Sequence, residues 1–256
     1  MFAALIAAVT ALLAVALVPL FQHLTGNRAW MVPLVLIAAV VGFAGASLVA
    51  GRFDADQPRP NQIQYTLDAD TGEATWVSAA TRPDAWTDQF FTDEYTTGRA
   101  AFSPGYYFGQ TFDVIRADAP TVDLPPPRLM VLDDTTTEGV RTLRLRVTSP
   151  RDAAMVHADL DLPGGLVAAA VDGDAVPVDE DAALRRFPIA VYNPDDEGVE
   201  VTLSVRGSGP ITGTLTDFTN GLPDIPRLSI ADRPPQFMPA PFDFRDPTVV
   251  HTTVTL

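Results

Sequence analysis

The sequence predicts a mainly β protein in which a two-helix transmembrane hairpin precedes an antiparallel β-sandwich domain with one short helix. The first supporting observation is a pair of long uncharged runs within residues 1–50, where Arg28 is the one charged side chain. The second is that the rest of the chain alternates apolar and polar residues over short runs separated by Gly, Pro and Asp turns. Short strands at such spacing are typical of a sandwich.

The predicted hairpin consists of residues 2–21 and 31–50, each a run of twenty residues without a charge. At about 1.5 Å rise per residue, each run would cross a hydrocarbon core of roughly 30 Å. A cleaved signal peptide is the alternative for the first run, but it requires a basic start, which the residues MFAA lack. We therefore expect an integral membrane protein whose partners are membrane lipid and other transmembrane helices.

Residues 51–60, GRFDADQPRP, predict a polar linker, and residues 61–256 predict one β-sandwich domain. One short helix is predicted over residues 82–91, where Trp86, Phe90 and Phe91 share a face. The proline-rich residues 227–247 are predicted to be irregular. Strands are predicted at residues 63–67, 75–79, 128–132, 140–148, 154–162, 166–171, 187–192, 199–206, 210–217 and 249–256.

Charge and composition exclude several classes of function. Sixteen of the 17 arginines and all 32 acidic side chains follow residue 50, so that part of the chain carries a charge of −16. Such a surface repels phosphate backbones, and we expect no nucleic-acid partner. The chain has no lysine, which excludes Schiff-base and P-loop chemistry. It also has no cysteine, which excludes disulfides and thiolate metal sites.

The acidic turn at residues 68–73, DADTGE, is a candidate calcium loop that fails its template. An EF-hand loop places glycine at its sixth position and a bidentate Glu at its twelfth. Counted from Asp68, these positions hold Glu73 and Ala79. The apolar runs on either side instead predict that the turn joins the two strands of a hairpin.

The candidate metal ligands are His157, Asp159 and Asp161, which strand alternation places on one face. A zinc site would require further ligands from elsewhere, and the other histidines are His23 and His251. The alternative is that these three residues form the solvated face of a strand whose other face is core. The sequence therefore predicts no catalytic, cofactor-binding or metal site, with these three residues as weak candidates for metal.

Four segments carry a resemblance to a known family: residues 59–78, RPNQIQYTLDADTGEATWVS; residues 82–86, RPDAW; residues 143–151, LRLRVTSPR; and residues 246–250, DPTVV. They resemble the C-terminal region of large membrane-bound zinc peptidases, the bacterial relatives of the vacuolar membrane protease and the endoplasmic-reticulum metallopeptidase. The resemblance covers most of residues 50–256. In that family an aminopeptidase-like domain holds two zinc ions, and a membrane region and a β-domain follow it.

The resemblance implies that this chain is a non-catalytic, membrane-anchored β-domain on the extracytoplasmic side, which supports or positions a separate zinc-dependent catalytic domain. The family's zinc motif begins with His-x-Asp, as residues 157–159 do, but its later ligands do not follow, so no catalytic residue is carried over. On this interpretation the chain is not by itself an enzyme and holds no cofactor. The alternatives are an independent envelope module that binds a peptide or glycan, and an enzyme in its own right.

Overall fold

The computed structural model describes residues 31–50, 53–92, 94–101, 111–178, 184–240 and 245–256. The chain divides into two compact units, residues 1–57 and residues 58–256. In the first unit the described element is helix α1 (Met31–Ala50), whose bounds are those of the second predicted hairpin helix. The first predicted hairpin helix, residues 2–21, lies outside the described residues.

Across the described ranges, no helix combines the length and the apolar character that crossing a membrane requires. This finding contradicts the predicted two-helix transmembrane hairpin and the predicted localisation as an integral membrane protein. The prediction depended on the apolar runs alone, and a run of about 20 uncharged residues permits a membrane span without requiring one.

The second unit is built from short strands and one 3-10 helix, Thr87–Phe90. Its first strands are β1 (Arg59–Asn61), β2 (Gln64–Asp68), β3 (Ala74–Ser78), β4 (Thr96–Ala100), β5 (Phe112–Asp118), β6 (Arg128–Thr137), β7 (Val140–Thr148) and β8 (Met155–Asp161). The others are β9 (Leu166–Val171), β10 (Asp174–Val176), β11 (Arg186–Tyr192), β12 (Val199–Arg206), β13 (Thr212–Thr219), β14 (Phe237–Pro239) and β15 (Thr248–Thr255). All ten predicted strands are present, and β7, β9 and β12 have the predicted bounds.

The described strands form three sheets. An eight-stranded sheet has the order β11-β8-β13-β15-β2-β3-β5-β4, a five-stranded sheet has the order β10-β9-β12-β7-β6, and β1 pairs with β14. Pairing is antiparallel except between β15 and β2 and between β1 and β14, which run parallel. Antiparallel sheets with one buried face require the alternation that the sequence shows. The β-sandwich part of the predicted fold is therefore consistent with the structure.

The described residues of this unit form four buried apolar clusters, and the two larger ones serve as its cores. The first contains buried leucines of both sheets, among them Leu145, Leu203 and Leu215, so the five-stranded sheet packs on the β8 and β13 side of the larger one. The second contains Tyr65 and Trp76, covered by the segment of the 3-10 helix. The aromatic rings there pack edge to face, with the Tyr65 and Trp76 centroids 5.3 Å apart. The predicted short helix is thus present as one 3-10 turn.

A buried charged pair lies where the two cores meet. Asp217 of β13 pairs in register with Val156 of the first core and Val250 of the second, and it is fully buried. Its carboxylate accepts a hydrogen bond from the Ser149 hydroxyl at 2.6 Å and forms an ion pair with Arg151. Burial raises the pKa of Asp217, and the attraction of Arg151 lowers it without cancelling that effect. The pair ties the link between β7 and β8 to the centre of the large sheet.

Replacement of Arg151 by alanine would leave the Asp217 carboxylate buried without its cation. We expect the R151A variant to lose about 3–5 kcal/mol of unfolding free energy, the usual cost of removing one partner of a buried ion pair. Urea denaturation of the full chain measures this loss. R206A, at an exposed position of β12, is the matched control and should change stability by less than about 0.5 kcal/mol. An R151A variant as stable as R206A would contradict a structural role for the pair.

Candidate functional site

The candidate site is a cavity of about 460 Å³ beside strand β1, which we name the Arg59–Arg82 pocket. Its walls are residues 59–62, residues 78–80 at the end of β3, residues 82–85 and Phe237 of β14. The two ends of the β-domain therefore contribute to one cavity. Three of its four wall segments belong to the N-terminal part of that domain.

Backbone hydrogen bonds show which edge of β1 pairs with β14 and which edge borders the pocket. The Arg59 amide donates to the Gln236 carbonyl at 2.8 Å, and the Asn61 carbonyl accepts from the Ala240 amide at 2.9 Å. These residues are thus paired with the β14 side, and alternate residues of a strand direct their backbone groups to the opposite side. The Gln62 carbonyl accordingly accepts a hydrogen bond from the Ser78 hydroxyl at 2.6 Å. The second edge of β1 borders the pocket.

Asp84 forms one rigid wall of the pocket because both of its carboxylate oxygens are occupied. One oxygen accepts hydrogen bonds from the backbone amides of Trp86 at 3.0 Å and Thr87 at 2.9 Å, and the other accepts from the Asn61 side chain at 3.0 Å. The Thr87 hydroxyl in return accepts from the Asp84 amide at 2.8 Å. This reciprocal arrangement resembles a helix capping box, and it fixes the turn that starts the 3-10 segment. Burial raises the pKa of Asp84, but the hydrogen bonds outweigh burial and lower it overall.

Arg233 braces the pocket from the C-terminal part of the domain. Its guanidinium donates to the Asn61 side-chain oxygen at 2.8 Å and to Asp246 at 2.7 Å. It also lies over the ring of Trp86, 3.9 Å from the centroid, and the Trp86 indole donates to the Ala231 carbonyl at 2.8 Å. Because each group has a partner, Asn61 and Asp84 hold their positions before any ligand arrives.

Two unpaired cations line the pocket. Arg59 and Arg82 are exposed, and neither forms an ion pair or a side-chain hydrogen bond with the described residues. Asp84, the acidic residue of the lining, accepts three hydrogen bonds and forms no ion pair with either arginine. Both guanidinium groups are therefore available to a ligand, in a chain whose net charge is −15.

The three candidate metal ligands do not form a metal centre in the described part of the chain. No group of three or more His, Asp or Glu side chains suited to a metal ion is found there. Asp159 is held by the guanidinium of Arg186, which reaches across from β11, and Asp161 is exposed at the strand end. The ion pair with Arg186 therefore gives Asp159 a structural role.

His157 corrects the interpretation of this face as solvated. Its side chain is 2% exposed, and neither ring nitrogen has a hydrogen-bond partner among the described residues. It lies in register between Ala190 of β11 and Thr216 of β13. Burial lowers the pKa of this imidazole, and nearby Asp159 opposes that effect only in part. Alternation predicted which residues share the face, but it does not predict whether the face is covered.

The acidic turn is a hairpin bend, as predicted, joining β2 to β3. The Asp68 carboxylate accepts from the Asp70 amide at 2.9 Å, which closes the turn. The Asp70 carboxylate accepts from the Thr252 hydroxyl at 2.6 Å and from the Thr253 amide at 2.7 Å. The hydrogen bond from Thr252 is the main reason that the pKa of Asp70 is lowered. These carboxylates thus connect the turn to itself and to β15.

Sequence reasoning did not identify the pocket residues as a site. Asn61 and Asp84 lie within the segments that carry the family resemblance, but no local motif marks them as neighbours. Arg233 lies about 150 residues further on, in the stretch predicted to be irregular, and the parallel pairing of β1 with β14 brings it close. No local sequence pattern predicts a contact between residues so far apart in the chain.

No known family model matches this chain, and no curated protein matches it. The resemblance to zinc peptidases, and the function that it implies, therefore stay predictions.

His157 gives a pH prediction. The folded protein keeps this imidazole neutral to a lower pH than the unfolded chain does, so below about pH 6.5 the unfolded state binds more protons and stability falls. We expect His157→Leu to raise the free energy of unfolding by about 1 kcal/mol or more at pH 7, since it removes two unsatisfied buried nitrogens. It should also reduce the loss of stability between pH 7.5 and pH 5. Urea denaturation at both pH values measures this, and an unchanged or steeper loss in the variant would contradict it.

Proposed function

We propose that the β-domain is a non-catalytic binding module and that the Arg59–Arg82 pocket holds an extended peptide segment. The observation that carries this proposal is the bracing of the pocket by Asp84, Asn61 and Arg233, whose hydrogen bonds are satisfied within the domain. A site whose walls are fixed in advance loses little conformational entropy when it binds. Binding sites in proteins are typically preformed in this way.

An extended peptide fits the shape of the pocket. One wall is the second edge of β1, where the Pro60 carbonyl can accept a hydrogen bond from an amide of an extended segment. Pro60 has no N–H, and the Gln62 carbonyl is already bonded to Ser78, so this edge offers few backbone groups. A cavity of about 460 Å³ also lies within the range of roughly 300–1,000 Å³ that is typical of ligand sites. A glycan is less well supported, because sugar rings bind by stacking on exposed aromatic faces, whereas Trp76 and Trp86 are buried.

A second candidate function is the support of a separate zinc-peptidase-like catalytic domain. It is favoured by one observation: residues 59–62, 78 and 82–85, which line the pocket, fall within two of the segments that carry the resemblance. In that case the bound segment belongs to the catalytic chain. Recovery of a two-zinc peptidase-like chain with the wild-type protein, and not with a variant whose pocket is filled, would favour this candidate.

The binding function is tested with a phage-displayed library of random heptapeptides panned against the immobilised full chain. We expect wild type to enrich peptides, and we expect Ala79→Trp to abolish that enrichment because the exposed Ala79 lines the pocket and an indole would fill it. The matched control is Ala168→Trp, at an exposed position of β9 outside the pocket. This variant should enrich the same peptides as wild type.

Two outcomes would overturn the proposal. If A79W enriched the same peptides as wild type, peptide binding would not use this pocket. If no peptide were enriched on wild type while a glycan array bound it, the glycan alternative would replace the peptide. Urea denaturation of A79W and A168W checks that both variants fold, so that a loss of binding can be assigned to the filled pocket.

A further inference from the structure

Resting on the proposed peptide-binding function, we infer that the group recognised in the Arg59–Arg82 pocket is a carboxylate of the bound peptide. A guanidinium offers a planar fork of donors that matches the two oxygens of a carboxylate. Arg59 and Arg82 both line the cavity and are both exposed, and neither has an acidic partner among the described residues.

The shared cavity is what distinguishes Arg59 and Arg82 from the other arginines. Six arginines of the described residues form ion pairs with Asp or Glu, namely Arg141, Arg144, Arg146, Arg151, Arg186 and Arg233. The other nine described arginines form none, namely Arg59, Arg82, Arg99, Arg116, Arg128, Arg185, Arg206, Arg227 and Arg245. Of these nine, Arg59 and Arg82 line the same cavity, so one external anion can contact both guanidinium groups.

The fixed Asp84 carboxylate forms no ion pair with Arg59 or Arg82. Its two oxygens are occupied by the Trp86 and Thr87 amides and by the Asn61 side chain. The amide nitrogen of Asn61 donates to Asp84 while its oxygen accepts from Arg233, which fixes the orientation of the amide. The pocket thus presents two cationic donors beside a wall that is internally satisfied.

The charge of the whole chain favours a carboxylate over a more highly charged group. Residues 51–256 carry a charge of −16, and the long-range repulsion of an anion grows with the charge of that anion. A phosphate ester brings a charge of about −1.5 to −2, whereas a carboxylate brings −1. Phe237 adds an apolar wall, which suits a peptide side chain next to the acidic group.

The test uses five pools of fluorescein-labelled pentapeptides and the full chain, with binding followed by fluorescence anisotropy. Three pools end in an amide and fix one position as Glu, Gln or phosphoserine. A fourth has a free C-terminal carboxylate and no acidic side chain, and the fifth is its C-terminal amide. We expect the Glu pool or the free-carboxylate pool to bind at least about tenfold more tightly than its neutral counterpart, because charge-assisted hydrogen bonds contribute at least that much. Tighter binding of the Glu pool would identify a side-chain carboxylate, and tighter binding of the free-carboxylate pool would identify a C-terminal carboxylate.

Arg59→Ala with Arg82→Ala should remove that preference. The matched control is Arg128→Ala with Arg206→Ala, which removes two exposed positive charges outside the pocket and should leave the preference within about twofold of wild type. Lysine at positions 59 and 82 should retain part of the preference for carboxylate peptides, since the positive charge remains while the planar guanidinium is lost.

The results separate a failure of this inference from a failure of the proposed function. Equal binding of acidic and neutral pools, blocked by A79W, would leave peptide binding intact and overturn the carboxylate assignment. Tightest binding of the phosphoserine pool, or a preference unchanged in the double alanine variant, would also overturn it. Absence of binding by every pool, together with no enrichment from the heptapeptide library, would overturn both.

Discussion

The parallel pairing of β15 with β2 is the contact on which the large sheet and the pocket both depend. It joins strands about 180 residues apart, with Thr248 opposite Tyr65 and His251 opposite Asp68. The Tyr65 amide donates to the Pro247 carbonyl at 3.0 Å, and the Ala69 amide donates to the His251 carbonyl at 2.9 Å. The entropy cost of closing so long a loop grows only slowly with its length, so a few buried contacts can offset it. Tyr65 and Val250, both fully buried here, supply such contacts.

The pocket is a consequence of this closure. Residues 59–62 and 78–85 lie next to β2 and β3 in the chain, whereas Arg233, Phe237 and Asp246 lie shortly before β15. Asp246 links these two parts of the chain, because its carboxylate accepts hydrogen bonds from the Ile63 amide at 3.2 Å and from Arg233 at 2.7 Å. Arg233 then reaches Asn61, which holds Asp84. A continuous chain of hydrogen bonds therefore runs from the closure contact to the pocket wall.

The sequence was sufficient for elements with local periodicity and insufficient for contacts between distant segments. Alternation predicted β7 and the inward face of β8, because the period of two is a property of the strand itself. It missed β1, β10 and β14, which have three residues each and too few positions to show a period. It also missed β4, which is almost wholly exposed, and β5, in which the neighbouring residues Val114 and Ile115 are both buried. The parallel strand pairs and the contacts of Arg233 form only when the two ends of the domain come together. The burial of His157 depends on which residues cover its face of the sheet. Apolar length alone predicted a membrane hairpin, which the described helix does not support.

Contacts between the two ends of the β-domain hold the pocket in shape before a ligand binds. Hydrogen exchange of the amides of residues 59, 61 and 84–87 in an Arg233→Ala variant tests this dependence most directly, because Arg233 links Asn61, Trp86 and Asp246. We predict that these amides exchange at least about tenfold faster than in wild type, while those of β7 and β12 are unchanged. Unchanged exchange at residues 59, 61 and 84–87 would show that the pocket keeps its shape without the C-terminal contact, which would contradict this dependence.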